Sequence, residues 1–142
     1  MKTSSRAIAD ENVTRFLNID LDIRSNSPLD SLVGAFGRHI VVLHVGKVER
    51  GYGARLELAP EAQSPDRLLR RFVKQVQQLP RAGRVVWNSA RAREFNIGIQ
   101  AARNPYSFEF RLESETLRAV AAVKARIGIT VYGAVSASRT PS

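Results

Sequence analysis

The chain has 142 residues, the length of one domain, and 44% of them are hydrophobic and 25% charged. These proportions are typical of a globular protein and exclude both a disordered chain and a membrane-spanning one. Because the chain has no cysteine, a disulfide framework, a thiol nucleophile and a thiolate zinc site are excluded as well. We expect a single domain over residues 1–142, with frayed ends at 1–12 and 136–142.

The chain is strongly basic, with 22 Lys and Arg against 13 Asp and Glu and a formal net charge of +9. The excess is concentrated between Arg67 and Arg103, where Glu94 is the only acidic residue. Such an excess attracts phosphate-bearing or other anionic partners. Arginine-favouring codon usage is the alternative explanation, since 18 of the 22 basic residues are Arg.

No segment reaches the roughly 18 to 20 consecutive apolar residues that cross a bilayer. The first ten residues also lack the apolar run of a secretory signal. We therefore expect a cytoplasmic bacterial protein with no membrane partner.

The first predicted element is a strand over Phe16–Arg24. Apolar and polar residues alternate in it, which places Leu17, Ile19, Leu21 and Ile23 on one buried side.

A helix and a second strand follow. Ser27 and Pro28 are typical of a helix start, and Gly37 of a helix end. The segment His39–Val45 is apolar except for its two histidines. This pattern predicts a strand covered on both faces, and a second subunit is one candidate for the cover.

The middle of the chain predicts a hairpin and two helices. Gly46–Gly53 forms the connection to a strand over Tyr52–Leu58. Ser64 begins a helix that runs to about Leu79, and a short helix carrying Trp87 comes next.

A second hairpin is predicted from Glu94–Ala101 and Tyr106–Leu112, with Tyr106, Phe108 and Phe110 facing the core. After it, Ser114 begins the last helix, and the strand Ile129–Ala134 ends the pattern.

The predicted order is β-α-β-β-α-α-β-β-α-β, which is too irregular for a doubly wound parallel sheet. We therefore predict an α+β two-layer sandwich, with a mostly antiparallel sheet and helices on one face. Its first elements match the order of a split-βαβ, ferredoxin-like core.

Histidines and paired carboxylates are the candidates for catalysis. In a regular strand, His39 and His44 point to opposite faces, so they cannot bind the same metal ion. Asp20 and Asp22 share a face about 6.6 to 6.8 Å apart, so a metal-assisted hydrolase using them is our third hypothesis. A cavity that gathers either histidine with Asp20 or Asp22 would contradict a non-catalytic interpretation.

The second hypothesis is non-specific binding of a nucleic-acid backbone through a basic helix face. Its candidate residues recur at helical spacing on the second helix and continue onto the third: Arg67, Arg70, Arg71, Lys74, Arg81 and Arg84. An ordinary solvated helix face is the alternative.

The sheet face turned away from the helices is the candidate surface for a protein partner or ligand. Its candidate residues are polar or charged: Asn18, Asp20, Asp22, Arg24, Arg55 and Tyr132. A plain solvent-exposed surface is the alternative here.

Three segments, Phe16–Ile23, Trp87–Ile99 and Ile129–Tyr132, together resemble bacterial single-domain α+β proteins of unknown function. The resemblance implies a small cytosolic protein and no particular catalytic residues. Since no nucleophile, base or metal set converges in the sequence, our leading hypothesis is a non-catalytic module that needs no cofactor and binds a protein partner or itself as a homodimer.

Overall fold

The computed structural model of the protein describes residues 12–58 and 64–134. Its elements in chain order are β1 (Arg15–Ser25), α1 (Asp30–Ala35), β2 (Ile40–Val48), β3 (Gly51–Leu58), α2 (Pro65–Gln77), α3 (Arg81–Ser89), β4 (Ala92–Gln100), α4 (Ser114–Ala122) and β5 (Arg126–Tyr132). The predicted frayed ends lie outside the described residues, except for Asn12. No helix in the described ranges is long and apolar enough to cross a membrane.

The five strands form one sheet in the order β2-β3-β1-β4-β5. All neighbours are antiparallel except β4 and β5. Strand β3 therefore lies between β1 and β2, which run in the same direction, and β1 likewise lies between β3 and β4. This is the split-βαβ arrangement, and the predicted α+β fold with a mostly antiparallel sheet is confirmed.

The predicted second hairpin is wrong. Residues 106–112 form no strand, Tyr106 is fully exposed, and Phe108 is also exposed. Strand β4 has β1 on one side and β5 on the other, so neither of its sides is free for another strand. Alternation shows that a segment suits an extended conformation, whereas a strand also needs an unoccupied partner.

The alternation in β1 is interrupted at its beginning. A register shift between Phe16 and Asn18 turns Phe16 toward the core and leaves Leu17 exposed. The predicted inward position of Leu17 is therefore wrong, because one extra residue in a strand reverses the faces before it.

Two helix starts were predicted from Ser-Pro pairs, and they differ in outcome. The Ser64 hydroxyl accepts the Arg67 N–H at 3.2 Å and caps α2 as predicted. By contrast, α1 begins only at Asp30 and has no side-chain cap. The Ser27 backbone N–H instead donates to the Ser25 hydroxyl, so the first pair forms a turn.

The core lies between one face of the sheet and the helices. Trp87 of α3 is the largest of its fully buried side chains. Its indole Nε1–H donates to the Val123 carbonyl at 2.9 Å, just beyond the end of α4. This bond satisfies a buried donor and fixes α3 against α4.

We expect Trp87→Phe to lower the free energy of unfolding by about 2–3 kcal/mol, because it leaves a cavity and an unpaired Val123 carbonyl. Urea unfolding followed by circular dichroism measures this. Val85→Ala, on the exposed side of the same helix, is the control and should change stability by about 0.5 kcal/mol or less. Equal effects of the two variants would contradict the role assigned to Trp87.

Candidate functional site

The sheet face that does not pack on the hydrophobic core is polar, and we call it the polar face. All six predicted partner-face residues lie on it. Asn18, Asp20, Asp22 and Arg24 come from β1, Arg55 from β3 and Tyr132 from β5. The Tyr132 ring reaches toward Asn18 over Gly98, whose missing side chain leaves room there.

Side chains of neighbouring strands are bonded to one another across the polar face. The contacts are Asn18 Nδ2 to Glu57 Oε2 at 2.6 Å, Arg55 Nε to Asp22 Oδ1 at 3.0 Å, and Arg126 Nε to Glu94 Oε1 at 2.8 Å. Several of the charges therefore compensate one another within the sheet.

Asp20 and Glu57 form a hydrogen-bonded carboxyl pair, because they are direct neighbours across β1 and β3. Burial raises the pKa of Asp20, the nearby Asp22 adds to this, and the Glu57 bond and the Arg55 charge only partly oppose it. Burial and then the Asp20 charge and bond raise the pKa of Glu57 against the opposing Asn18 bond. One Asp20 oxygen is also buried without a hydrogen-bond partner.

A shallow depression of about 160 Å³ lies at the β2 side of the polar face. Its lining consists of Asp22, Arg24, His44, Val48, Gly53, Ala54 and Arg55. Gly53 leaves it open, since a Cβ there would lie 2.9 Å from Val48 Cγ1 and 3.4 Å from Arg24 Nη1. Gly53 is predicted from the sequence only as a turn residue, because the strand register that places it beside Arg24 leaves no local signal in the sequence.

The depression brings His44 and Asp22 to one hollow, so the expected separation of histidines from these carboxylates is wrong. A shift in register between Val42 and His44 interrupts the regular alternation on which that expectation rested. His39 lies in the turn before β2, outside the lining. Polar side chains do converge here, so a non-catalytic interpretation is no longer supported by their dispersal.

The hydrolase hypothesis receives no support from the geometry of Asp20 and Asp22. Asp22 is ion-paired with Arg55, and Asp20 is bonded to Glu57. Within residues 12–58 and 64–134, no group of three or more His, Cys, Asp or Glu side chains is placed to hold a metal ion.

Some residues of the predicted basic helix face are partly buried. Four of its six residues are exposed, namely Arg67, Arg70, Lys74 and Arg81, whereas Arg71 and Arg84 are half-buried. The Arg84 Nε is buried without a hydrogen-bond partner in the described structure.

Arg70 links α2 to α4. Its Nε donates to the Thr116 hydroxyl at 2.9 Å, and its Nη2 lies 3.3 Å from Asp66 Oδ2. Burial alone would raise the pKa of Asp66, but the Glu113 N–H, the Thr116 hydroxyl and Arg70 together lower it. Arg70 therefore has a structural role, and nucleic-acid binding by this face stays a prediction.

Strand β2 is an edge of the sheet, and its predicted cover on both faces is wrong for the described residues. Val41, Val42 and Leu43 are 37%, 46% and 48% exposed. His44 is exposed as well. Within the described chain, only β3 pairs with β2.

Comparison of the chain with protein-family models, with curated proteins and with solved structures finds no match. Interpretation of the site therefore rests on its own geometry.

We expect Asp20→Asn to stabilise the protein at pH 7 by about 1 kcal/mol, the size of one net hydrogen bond. A carboxyl pKa raised by folding contributes stability below its unfolded value, and that contribution is lost as the pH rises through the folded value. The advantage of the variant should therefore shrink as the pH falls toward about 4.

Urea unfolding of both proteins between about pH 4 and pH 8 measures this difference. Asp22→Asn is the control: it removes the ion pair with Arg55 and should not stabilise. If Asp20→Asn is less stable than the natural protein at pH 7, the negative charge of Asp20 does not destabilise the folded state.

Proposed function

We propose that the protein is a protein-binding module that associates with a second copy of itself through β2. The observation that supports this proposal is a nine-residue, mostly apolar strand at the edge of the sheet with one hydrogen-bonding side unused in the described structure. Such an edge is a template for another strand, and natural proteins usually blunt it with charges, proline or a covering segment.

The side chains of β2 are unusually apolar for an edge. Lys47 is the only Lys, Arg, Asp or Glu within Ile40–Val48. Three consecutive apolar residues, Val41, Val42 and Leu43, are exposed. Pairing with a second strand would remove part of this surface from water.

The bulge in β2 limits how two copies can pair. Before it, Ile40 and Val42 lie on the core side, opposite Leu58 and Leu56. After it, the core side passes to odd-numbered residues, such as Val45. Because opposite residues in an antiparallel pair share a face, pairing that spans the bulge must match an even-numbered residue with an odd-numbered one.

Charge selects among the registers that remain. When the two-fold axis passes between Leu43 and His44, Val42 faces Val45 of the second copy, and Arg38 in the turn before β2 comes near Glu49 in the turn after it. A shift of the axis by one residue toward the start of β2 would place Arg38 opposite Lys47, a like-charge contact. The central register is therefore favoured.

The opposite edge, β5, is the competing surface. Ile129 and Val131 are exposed there as well. Its one charged residue, Arg126, is bonded to Glu94 and offers no complementary pair for a second copy. We therefore assign self-association to β2 and keep β5 as an outcome of the test.

We expect light scattering on the full chain to show a dimer at about 100 µM, with a micromolar dissociation constant, since one strand pair is smaller than a standard interface. Leu43→Lys should make the protein a monomer by adding a like-charge repulsion at the axis. The matched control is Ile129→Lys on β5, which should leave the dimer intact.

Three outcomes would overturn the assignment. A natural protein that is monomeric at this concentration removes self-association. Loss of the dimer in Ile129→Lys alone moves it to β5. A monomer in which the β2 amides that point away from β3 are strongly protected from hydrogen exchange shows that another part of the same chain covers this edge.

The register has its own test. Arg38→Glu and Glu49→Arg should each weaken the dimer several-fold by placing like charges opposite each other, and the double variant should restore the natural affinity. Analytical ultracentrifugation of the four proteins measures this. Additive losses in the double variant would reject the central register while leaving the β2 edge itself in place.

A further inference from the structure

We propose that the depression on the polar face binds a phosphate group through Arg24, Arg55 and His44. Self-association would use the free backbone edge of β2, whereas this site uses side chains on the polar face, among them His44 next to the proposed two-fold axis, so it goes beyond the proposed self-association. The charge, the shape and the size of the depression all favour a phosphate group.

The lining carries an excess of positive charge. Asp22 is its only carboxylate, and Arg55 Nε neutralises it at 3.0 Å. Within the described residues, the Arg24 guanidinium makes no side-chain hydrogen bond or ion pair, and neither does the His44 ring. One guanidinium and one imidazole are therefore available to an anion.

Arg55 can also contribute. A guanidinium has five N–H donors, and the bond to Asp22 uses the Nε–H. Guanidinium groups fit the oxygen atoms of phosphate in a forked geometry, and the bonds are strengthened by charge. A second arginine beside Arg24 suits a doubly charged phosphate better than a singly charged carboxylate.

Gly53 gives the depression its shape. Arg24 Nη1 would lie 3.4 Å from a Cβ at this position, and Val48 Cγ1 would lie at 2.9 Å. Both side chains therefore border the space that Gly53 leaves free. Any larger residue would fill that space and press on Val48.

The volume of about 160 Å³ sets the size of the ligand. Sites for drug-sized molecules usually have about 300–1,000 Å³. The depression can therefore hold one phosphate group, either free or as the end of a monoester whose remainder stays in solvent. The probe of choice is inorganic phosphate.

The two histidines provide an internal comparison. His44 lines the depression, whereas His39 lies in the turn before β2, is exposed and is not part of the lining. Titration of the full chain with inorganic phosphate at constant pH and ionic strength should move the NMR signals of the His44 ring and the Gly53 amide. The His39 ring should move little.

We expect a dissociation constant of about 1–10 mM for inorganic phosphate, with acetate binding at least about tenfold more weakly. Arg24→Gln should weaken phosphate binding about tenfold. Arg118→Gln is the matched control, because Arg118 is exposed on α4 and its replacement removes the same charge. This variant should change binding less than about twofold. Unchanged amide spectra of both variants confirm that they are folded.

The result that overturns the proposal is a similar response of His39 and His44, or an equal effect of the two arginine variants, since either would show general attraction to a basic protein. Equal binding of acetate would reject the phosphate assignment in favour of a carboxylate. Repeating the titration on Arg38→Glu, which weakens the dimer and adds no positive charge beside His44, separates this site from self-association, because phosphate binding should persist when the dimer is weakened.

Discussion

The central strand β1 determines the arrangement of the rest of the molecule, because both of its hydrogen-bonding sides are occupied, by β3 and β4. Its side chains alternate, so Ile19, Leu21 and Ile23 enter the core, while the residues between them form the middle of the polar face. The antiparallel pairing on each side then places the side chains of the neighbouring strands on the same two faces. The core and the polar face are thus two consequences of one alternation.

Hydrogen bonds and ion pairs between strands hold the polar face together. Because some of these pairs are oppositely charged and another consists of two carboxyls, the charge differs from place to place on the face. Where a carboxylate lies opposite an arginine, as for Asp22 and Arg55, the charges compensate each other. Where two carboxyls lie opposite each other, as for Asp20 and Glu57, burial is the main cause that raises both pKa values. Beside Gly53 no side chain fills the surface, and the positive charge of Arg24 remains available. The same sheet therefore carries an acidic pair and a basic depression on neighbouring strands.

Strand β2 connects the two proposals. Its free side and exposed apolar side chains support association with a second copy, and one of its residues, His44, lines the depression. Its bulge matters to both, because it interrupts the alternation next to His44 and restricts the registers in which two β2 strands can meet. Among the basic residues of α2, Arg70 joins α2 to α4, so not all of this positive charge is available for binding.

Local patterns in the sequence determined most of the elements. Alternation located β1, helical spacing with a Ser-Pro start located α2, and the parity of β1, β3 and β5 placed all six candidate partner-face residues on one face. Local patterns could not determine which strands become neighbours, because pairing joins residues far apart in the chain. Only the tertiary structure decided that β4 pairs with β5 instead of with residues 106–112, and that β2 lies at an edge. Likewise, the bulges that turn Leu17 outward and interrupt β2 before His44 arise from the register of paired strands. The depression at Gly53 exists only because three strands come together in that register.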